Sequence, residues 1–454
     1  MFKINSINGI NSESFVRNKN NNQNSNVVSN VTVPADFAKV SASNLQAYIP
    51  SFTATTKGTN NTIPSKQEQL KTVKTKLDRE SQLILNKLDK NGILDNKDSN
   101  DGSSVLDNLY KIATEPRIRG LSDKLILKEV LKAIDNPYTI TQKFGDIPDE
   151  VANAIANETG TQFPEEAKNV LSSSCVVASM EFNLASKKPA EFARFAQGLS
   201  GQDYSITKKI KMSDISTGIA DALWNLRTFN TDCTIARNWE DLTVNIKPDR
   251  NAIVRARVQT SYKDPDERSC VDVLIQSALL HLGSQHTYNA ITDERTGEKN
   301  PEKTGLTDEE KNFVESIVFE EPKYLVTYQN IDETGHLVGH YFELDSIKDH
   351  ILKTLASGEN IIVGYVHLGD QNVVMGGHEI TIVGYEQDEN GNGYFICNDT
   401  DDDINEPIRK SEKELLPLIH HAGISKNAFS ENDIVYEEWR NILDNFQASR
   451  NSEK

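Results

Sequence analysis

Cys175, His378 and one of the neighbours Asn398 and Asp399 have the side chains needed for nucleophilic chemistry. A cysteine attacks a carbonyl carbon when it is largely thiolate near neutral pH, a state favoured by a helix N-terminus and an adjacent imidazole. Cys175 lies in Leu171-Ser172-Ser173-Ser174-Cys175-Val176-Val177-Ala178-Ser179-Met180, where three serines offer N-caps and the apolar residues beyond predict a helix over 176–186. Its amide then points to where an oxyanion would form. His378 follows Gly376-Gly377 and opens Glu379-Ile380-Thr381-Ile382-Val383-Gly384-Tyr385, which reads as a strand. The two glycines let a substrate approach the ring. The imidazole needs an orienting partner, and the stretch Tyr394-Phe395-Ile396-Cys397-Asn398-Asp399-Thr400 ends in two candidates.

The elements that must position these residues form an α-rich first half and a β-rich second half, an α+β arrangement. Residues 1–64, rich in Asn and Ser, read as a flexible tail. Residues 65–139 read as a small helical module: Leu70, Val73, Leu77, Ile84 and Leu88 keep helical spacing, and further helices fit 105–113 and 123–134. From 140 onward, helices are expected over 164–171, 176–186, 190–196, around Ile215 to Leu226, and over 271–282. The charged segment 288–321 reads as a surface excursion. Strands are expected over 324–328, 341–344, 361–366, 379–385 and 394–397, with a helix over 346–356.

Hairpin register imposes a condition. A two-residue turn at Asn390-Gly391 places His378 opposite Asp403, which leaves Asp399 about 13 Å too near the turn. A longer loop or a bulge is required if Asp399 is to reach the histidine.

In this order, Cys175-Val176-Val177-Ala178-Ser179, Gly377-His378 with Ile382-Val383-Gly384-Tyr385, and Tyr394-Phe395-Ile396 ahead of Asn398-Asp399 resemble the papain-like cysteine peptidases. The resemblance is to the bacterial branch similar to the bacteriocin leader peptidases. It implies a helical half packed on an antiparallel sheet over 140–454, with an insertion within about 200–320. It also implies cofactor-free thiol-dependent hydrolysis of a protein or peptide substrate. Cys175 would be the nucleophile, His378 the base and Asp399 the orienter, and Asn169 would stand where an oxyanion donor is expected. An acyltransferase of transglutaminase-like chemistry, or an interaction protein that keeps the fold without the chemistry, are the alternatives.

Composition narrows the partners. The 49 basic against 67 acidic side chains leave a formal charge of -18, which repels nucleic acid and anionic lipid. No signal peptide or membrane span is legible, so a cytoplasmic location is the default expectation, with unsignalled export open. Cys175, Cys233, Cys270 and Cys397 are too sparse for a disulfide framework or a CxxC zinc site. Cys270, also at a predicted helix start, is the rival nucleophile. Asp89 to Gly102 is oxygen-rich but fits a calcium loop in neither register, and reads as a polar loop. His420, His421 and the other histidines show no metal-ligand spacing, so no catalytic metal is expected.

Overall fold

Apolar residues at helical spacing build the first core. The computed structural model describes residues 64–143, 152–153, 156–157, 160, 172–211, 233–235, 241–261, 268–284, 286–295, 304–402 and 404–425. The described residues from Lys66 onward belong to one compact unit. The expected helices over 164–171 and around 215–226 lie outside the described residues.

The helical module comprises α1 (Lys66–Lys76), α2 (Arg79–Lys90), α3 (Val105–Thr114) and α4 (Asp123–Asp135). The spacing from Leu70 to Leu88 suggests one helix, but the chain breaks ahead of Asp78, whose carboxylate accepts from the Ser81 amide at 2.8 Å and caps α2. Next come α5 (Cys175–Lys187) and α6 (Pro189–Leu199), then a small sheet of β1 (Ile206–Lys211), β2 (Cys233–Ile235) and β3 (Asp241–Ile246) in the order β1-β3-β2. Helices α7 (Arg250–Ser261), α8 (Cys270–Gly283) and α9 (Asp308–Phe319) complete this half. Val73, Leu85, Leu109 and Ile126 of the module share one apolar cluster with Val177, Met180, Phe192, Leu274 and Phe313, and α8 is buried along its whole length.

The loop from Asp89 to Gly102 joins α2 to α3, and its oxygens are used internally. Asp98 pairs with Arg194 at 3.0 Å, and Asn100 Oδ1 accepts from the Lys209 amide at 3.1 Å.

The expectation that 288–321 forms a surface excursion fails. Here β4 (Tyr288–Asn289) pairs with β5 (Glu294–Arg295), and Tyr288, Ile291, Asp293 and Arg295 are buried, as are Phe313, Val314, Ile317 and Val318 on α9. The charges that made the segment look exposed are paired inside: Arg295 with Glu310, and Lys311 Nζ with Glu379 at 2.7 Å. Its residues 296–303 are outside the described set.

The second core lies on a six-stranded antiparallel sheet. Its members are β6 (Lys323–Thr327), β9 (Ile361–Leu368), β10 (Val374–Gln387), β11 (Gly393–Asn398), β12 (Ile408–Ser411) and β13 (Ile419–Ser425), in the order β12-β11-β10-β9-β13-β6. Ile361, Val363, Ile380, Ile382, Phe395 and Ile424 pack with Ile347 and Ile351 of α10 (Leu344–Ala356). The strand expected at 341–344 is instead β8 (Leu337–His340), paired with β7 (Gln329–Ile331). An Asp332 to Gly335 turn, with Gly335 at φ 82°, sets that hairpin earlier, and α10 begins at Leu344. Strand β13 was not foreseen: both its faces are buried, so it lacks alternation, and two histidines interrupt its apolar run.

Candidate active site

Cys175 is the first residue of α5, which packs against β10 and carries the thiol to the sheet. The thiol is partly exposed. The three serines before it are not caps: Ser174 occupies the N-cap position without a side-chain cap bond. They are pinned elsewhere. Asp293 accepts from the Ser173 amide at 2.6 Å, from Ser173 Oγ at 3.0 Å and from Ser172 Oγ at 3.1 Å, while Tyr288 donates its hydroxyl to it at 2.7 Å. Ser174 Oγ donates to Gln276 Oε1 at 2.9 Å, and Gln276 reaches Glu181 in the same core. The start of α5 thus carries no side-chain cap, as an anion site requires. Asp293 carries no signal in the sequence, because it sits in a charged segment that reads as surface. Its φ of 54° marks a specialised turn.

His378 stands on β10 opposite Tyr365 of β9. Its Nε2 lies 2.6 Å from Asp399 Oδ1, and the Cys175 thiol is near enough to act on the same ring. Burial alone would lower the imidazole's pKa, but the bonds and charges of Asp399 and Cys175 override it and push the value up to about 11. Asp399 shows the converse balance: burial would raise it, and His378 and Lys410 hold it below the usual carboxylate range. Both shifts favour the charged forms, imidazolium and carboxylate.

Both register conditions are met. The hairpin loop spans 388–392, between the pair Gln387 and Gly393, and a bulge falls between Ile382 and Gly384. Thr381 then faces Asn398, so Asp399 lies just past the end of β11, diagonal to His378. Asn398 itself is buried. Gly377 is exposed immediately before the histidine, and a Cβ there would meet only the Tyr365 carbonyl at 3.5 Å, an ordinary contact. Half-buried Gly376 follows a second bulge in β10. Asn169 lies outside the described residues.

The rival cysteine is in a different state. Cys270 is fully buried and donates its S–H to Glu129 Oε2 at 2.9 Å. Burial, reinforced by Glu129, pushes its pKa well above the ordinary thiol value, and burial pushes Glu129 up to about 7. That thiol stays protonated. Cys397 is buried on β11, and burial pushes it up to about 12.

A second polar cluster occupies the other face of β10. Glu379 accepts from Lys311 Nζ at 2.7 Å and lies 2.7 Å from His421 Nε2, while the Nδ1 atoms of His420 and His421 are 2.9 Å apart. A bulge between Ile419 and His421 explains how two successive residues turn inward together. One ligand atom each from Asp308, His420 and His421 lie within 4.8 Å of one another, a proximity the sequence spacing did not reveal. The Glu379 carboxylate and the facing imidazole nitrogens are already engaged with one another, and the Lys311 ammonium sits on the same carboxylate. The cluster is an ionic clamp between α9 and the sheet.

No helix among the described residues is long and apolar enough to cross a membrane. Comparison of the chain with protein-family models, with curated proteins and with solved structures gives no match.

Proposed function

We propose that the chain is a thiol-dependent hydrolase of peptide, isopeptide or side-chain amide bonds, working in the manner of the papain-like cysteine peptidases. The observation that carries the reading is the assembly, from residues far apart in sequence, of an imidazole 2.6 Å from Asp399 with a thiol, at an uncapped helix start, near enough to raise the ring's pKa. The Cys175 thiolate attacks the amide carbonyl carbon; the C–S bond forms and the carbonyl π pair moves onto oxygen, towards the amides of α5. Collapse of that oxyanion breaks the C–N bond, and the His378 imidazolium gives its proton to the departing amine. Water, deprotonated by the now neutral His378, attacks the thioester, releasing the acid and restoring the thiolate and imidazolium. Asp399 keeps the ring in the tautomer and orientation this cycle needs.

A thiol-directed epoxide probe on the intact protein tests the reading. Modification at Cys175 is expected, abolished in Cys175→Ala and reduced about a hundredfold or more in His378→Ala, while Cys270→Ala leaves it unchanged. Folded protein that takes up no probe at Cys175 would refute the assignment. Mass spectrometry of products formed with an added amine separates hydrolysis from acyl transfer: free acid alone supports the former, and amide products the latter.

A further inference from the structure

The two carboxylate oxygens of Asp399 have different partners. Oδ1 lies at 2.6 Å from His378, and Oδ2 lies 3.3 Å from Lys410 Nζ on β12. The same ammonium sits over the Tyr365 ring, 5.3 Å from its centroid. Tyr365 in turn meets the His378 ring edge-on, centroids 5.8 Å apart and planes at 84°. Lysine, carboxylate, imidazole and phenol form a closed circuit that holds the imidazole from two sides. Lys410 is directly opposite Phe395 in the β11–β12 pairing, a buried core residue that anchors this part of the strand.

We propose that Lys410 is a positioning residue of the site: from behind it keeps Asp399 ionised and its second oxygen from turning away, and so maintains the imidazolium that stabilises the Cys175 thiolate. The inference rests on the reading of Cys175, His378 and Asp399 as a triad.

Charge alone argues for such a partner. An aspartate holds an imidazolium more strongly than a neutral amide would, but it must be kept ionised when partly desolvated. The groups that face Asp399 are His378 on β10, His367 on β9, Cys397 and Lys410 on β11 and β12, and Asp401 and Asp402 in the turn beyond. The Asp401 amide contributes one hydrogen bond at 3.3 Å, while the Asp402 carboxylate is a like charge that opposes ionisation. Among the described residues that face Asp399, Lys410 is the lysine bonded to its carboxylate.

The neighbouring residue provides the control. Arg409, on the same strand, pairs with Glu386 at 2.6 Å and stacks over Tyr394, away from the triad. Removing either cation changes net charge equally, but only one of them touches Asp399.

The experiment titrates the Cys175 thiolate by its ultraviolet absorbance against a Cys175→Ala background, in the full-length chain and in Lys410→Met, Lys410→Arg and Arg409→Met. The acid limb is expected to move upward by about one pH unit in Lys410→Met, a tenfold loss of thiolate on that limb, to return in Lys410→Arg, and to stay in place in Arg409→Met. A Lys410→Met limb that coincides with the unaltered protein, or an equal shift in Arg409→Met, overturns the inference. The thermal midpoint of each variant is recorded alongside, and a shift that Lys410→Arg fails to reverse counts as damage to the fold and against positioning. Peptide hydrolysis is assayed separately: its absence beside a normal thiolate titration overturns the peptidase reading and leaves the role of Lys410 supported.

Discussion

At the scale of single residues, the least expected participant is Asp293. It gathers Ser172, Ser173 and Tyr288 around one buried carboxylate and so sets where α5 begins. Its left-handed backbone suits Asn and Asp better than Ala. Asp293→Asn is therefore expected to keep the turn while losing charge, and Asp293→Ala to cost about 2 kcal/mol or more by stranding buried donors and straining the backbone. Thermal denaturation and the rate of Cys175 modification should both rank unaltered protein, Asn variant, Ala variant; an Ala variant as stable and reactive as the parent would remove Asp293 from the site. Cys175, His378 and Asp399 were legible in the sequence because each stands beside a local signal: a helix start, a glycine pair, a strand end. Asp293 and Lys410 were not, since their partners are supplied by elements distant in sequence, and a charged residue in a charged segment carries no mark of burial.

At the scale of elements, two irregularities aim the β10 hairpins. The bulge near Val383 and the loop 388–392 bring Asp399 level with the ring, as register arithmetic required. On the other side, β9 turns into β10 through Asp370 to Val373, with Gln371 at φ 57° and Asn372 at φ 60°. Both central residues are left-handed, the geometry of a type I′ turn, in which glycine suits the second position and Asn or Gly the first. Gln371→Gly is expected to raise stability by about 1 kcal/mol without altering Cys175 modification. A chemical denaturation midpoint that falls would show that the glutamine side chain makes a compensating contact. Strands with one solvated face were readable by alternation; β13, buried on both faces and bearing His420 and His421, was not. The break at Asp78 was equally hidden, because apolar spacing continues through it.

For the whole molecule, buried carboxyls govern the dependence on pH. Burial raises Glu129 and Glu315 to about 7 each and Asp249 to about 6. The folded state then holds more protons than the unfolded one between the ordinary carboxylate range and these values, so stability declines as pH rises across that window. Glu191 acts in the opposite sense: burial would raise it, but Lys208 and Arg194 hold it at about 2, a contribution kept above its unfolded value and lost as pH falls towards 2. His378, raised to about 11, contributes fully below its ordinary value of 6.5 and keeps part of that until pH rises through 11. Scanning calorimetry is expected to find the highest melting temperature near pH 5 and a decline towards pH 7.5. A melting temperature that climbs over that interval would mean that these acids are ionised in the fold.

Strand β10 bears His378 and Glu379 in succession, one turned to Asp399 and the other gripped from behind by Lys311 and His421. In mechanical terms it is a beam clamped at the back and loaded at the front. Force from a substrate pressing on the imidazole would pass into α9 through the buried Lys311–Glu379 pair and into β13 through the His421 contact. The base cannot recoil from the thiol unless that anchorage yields first.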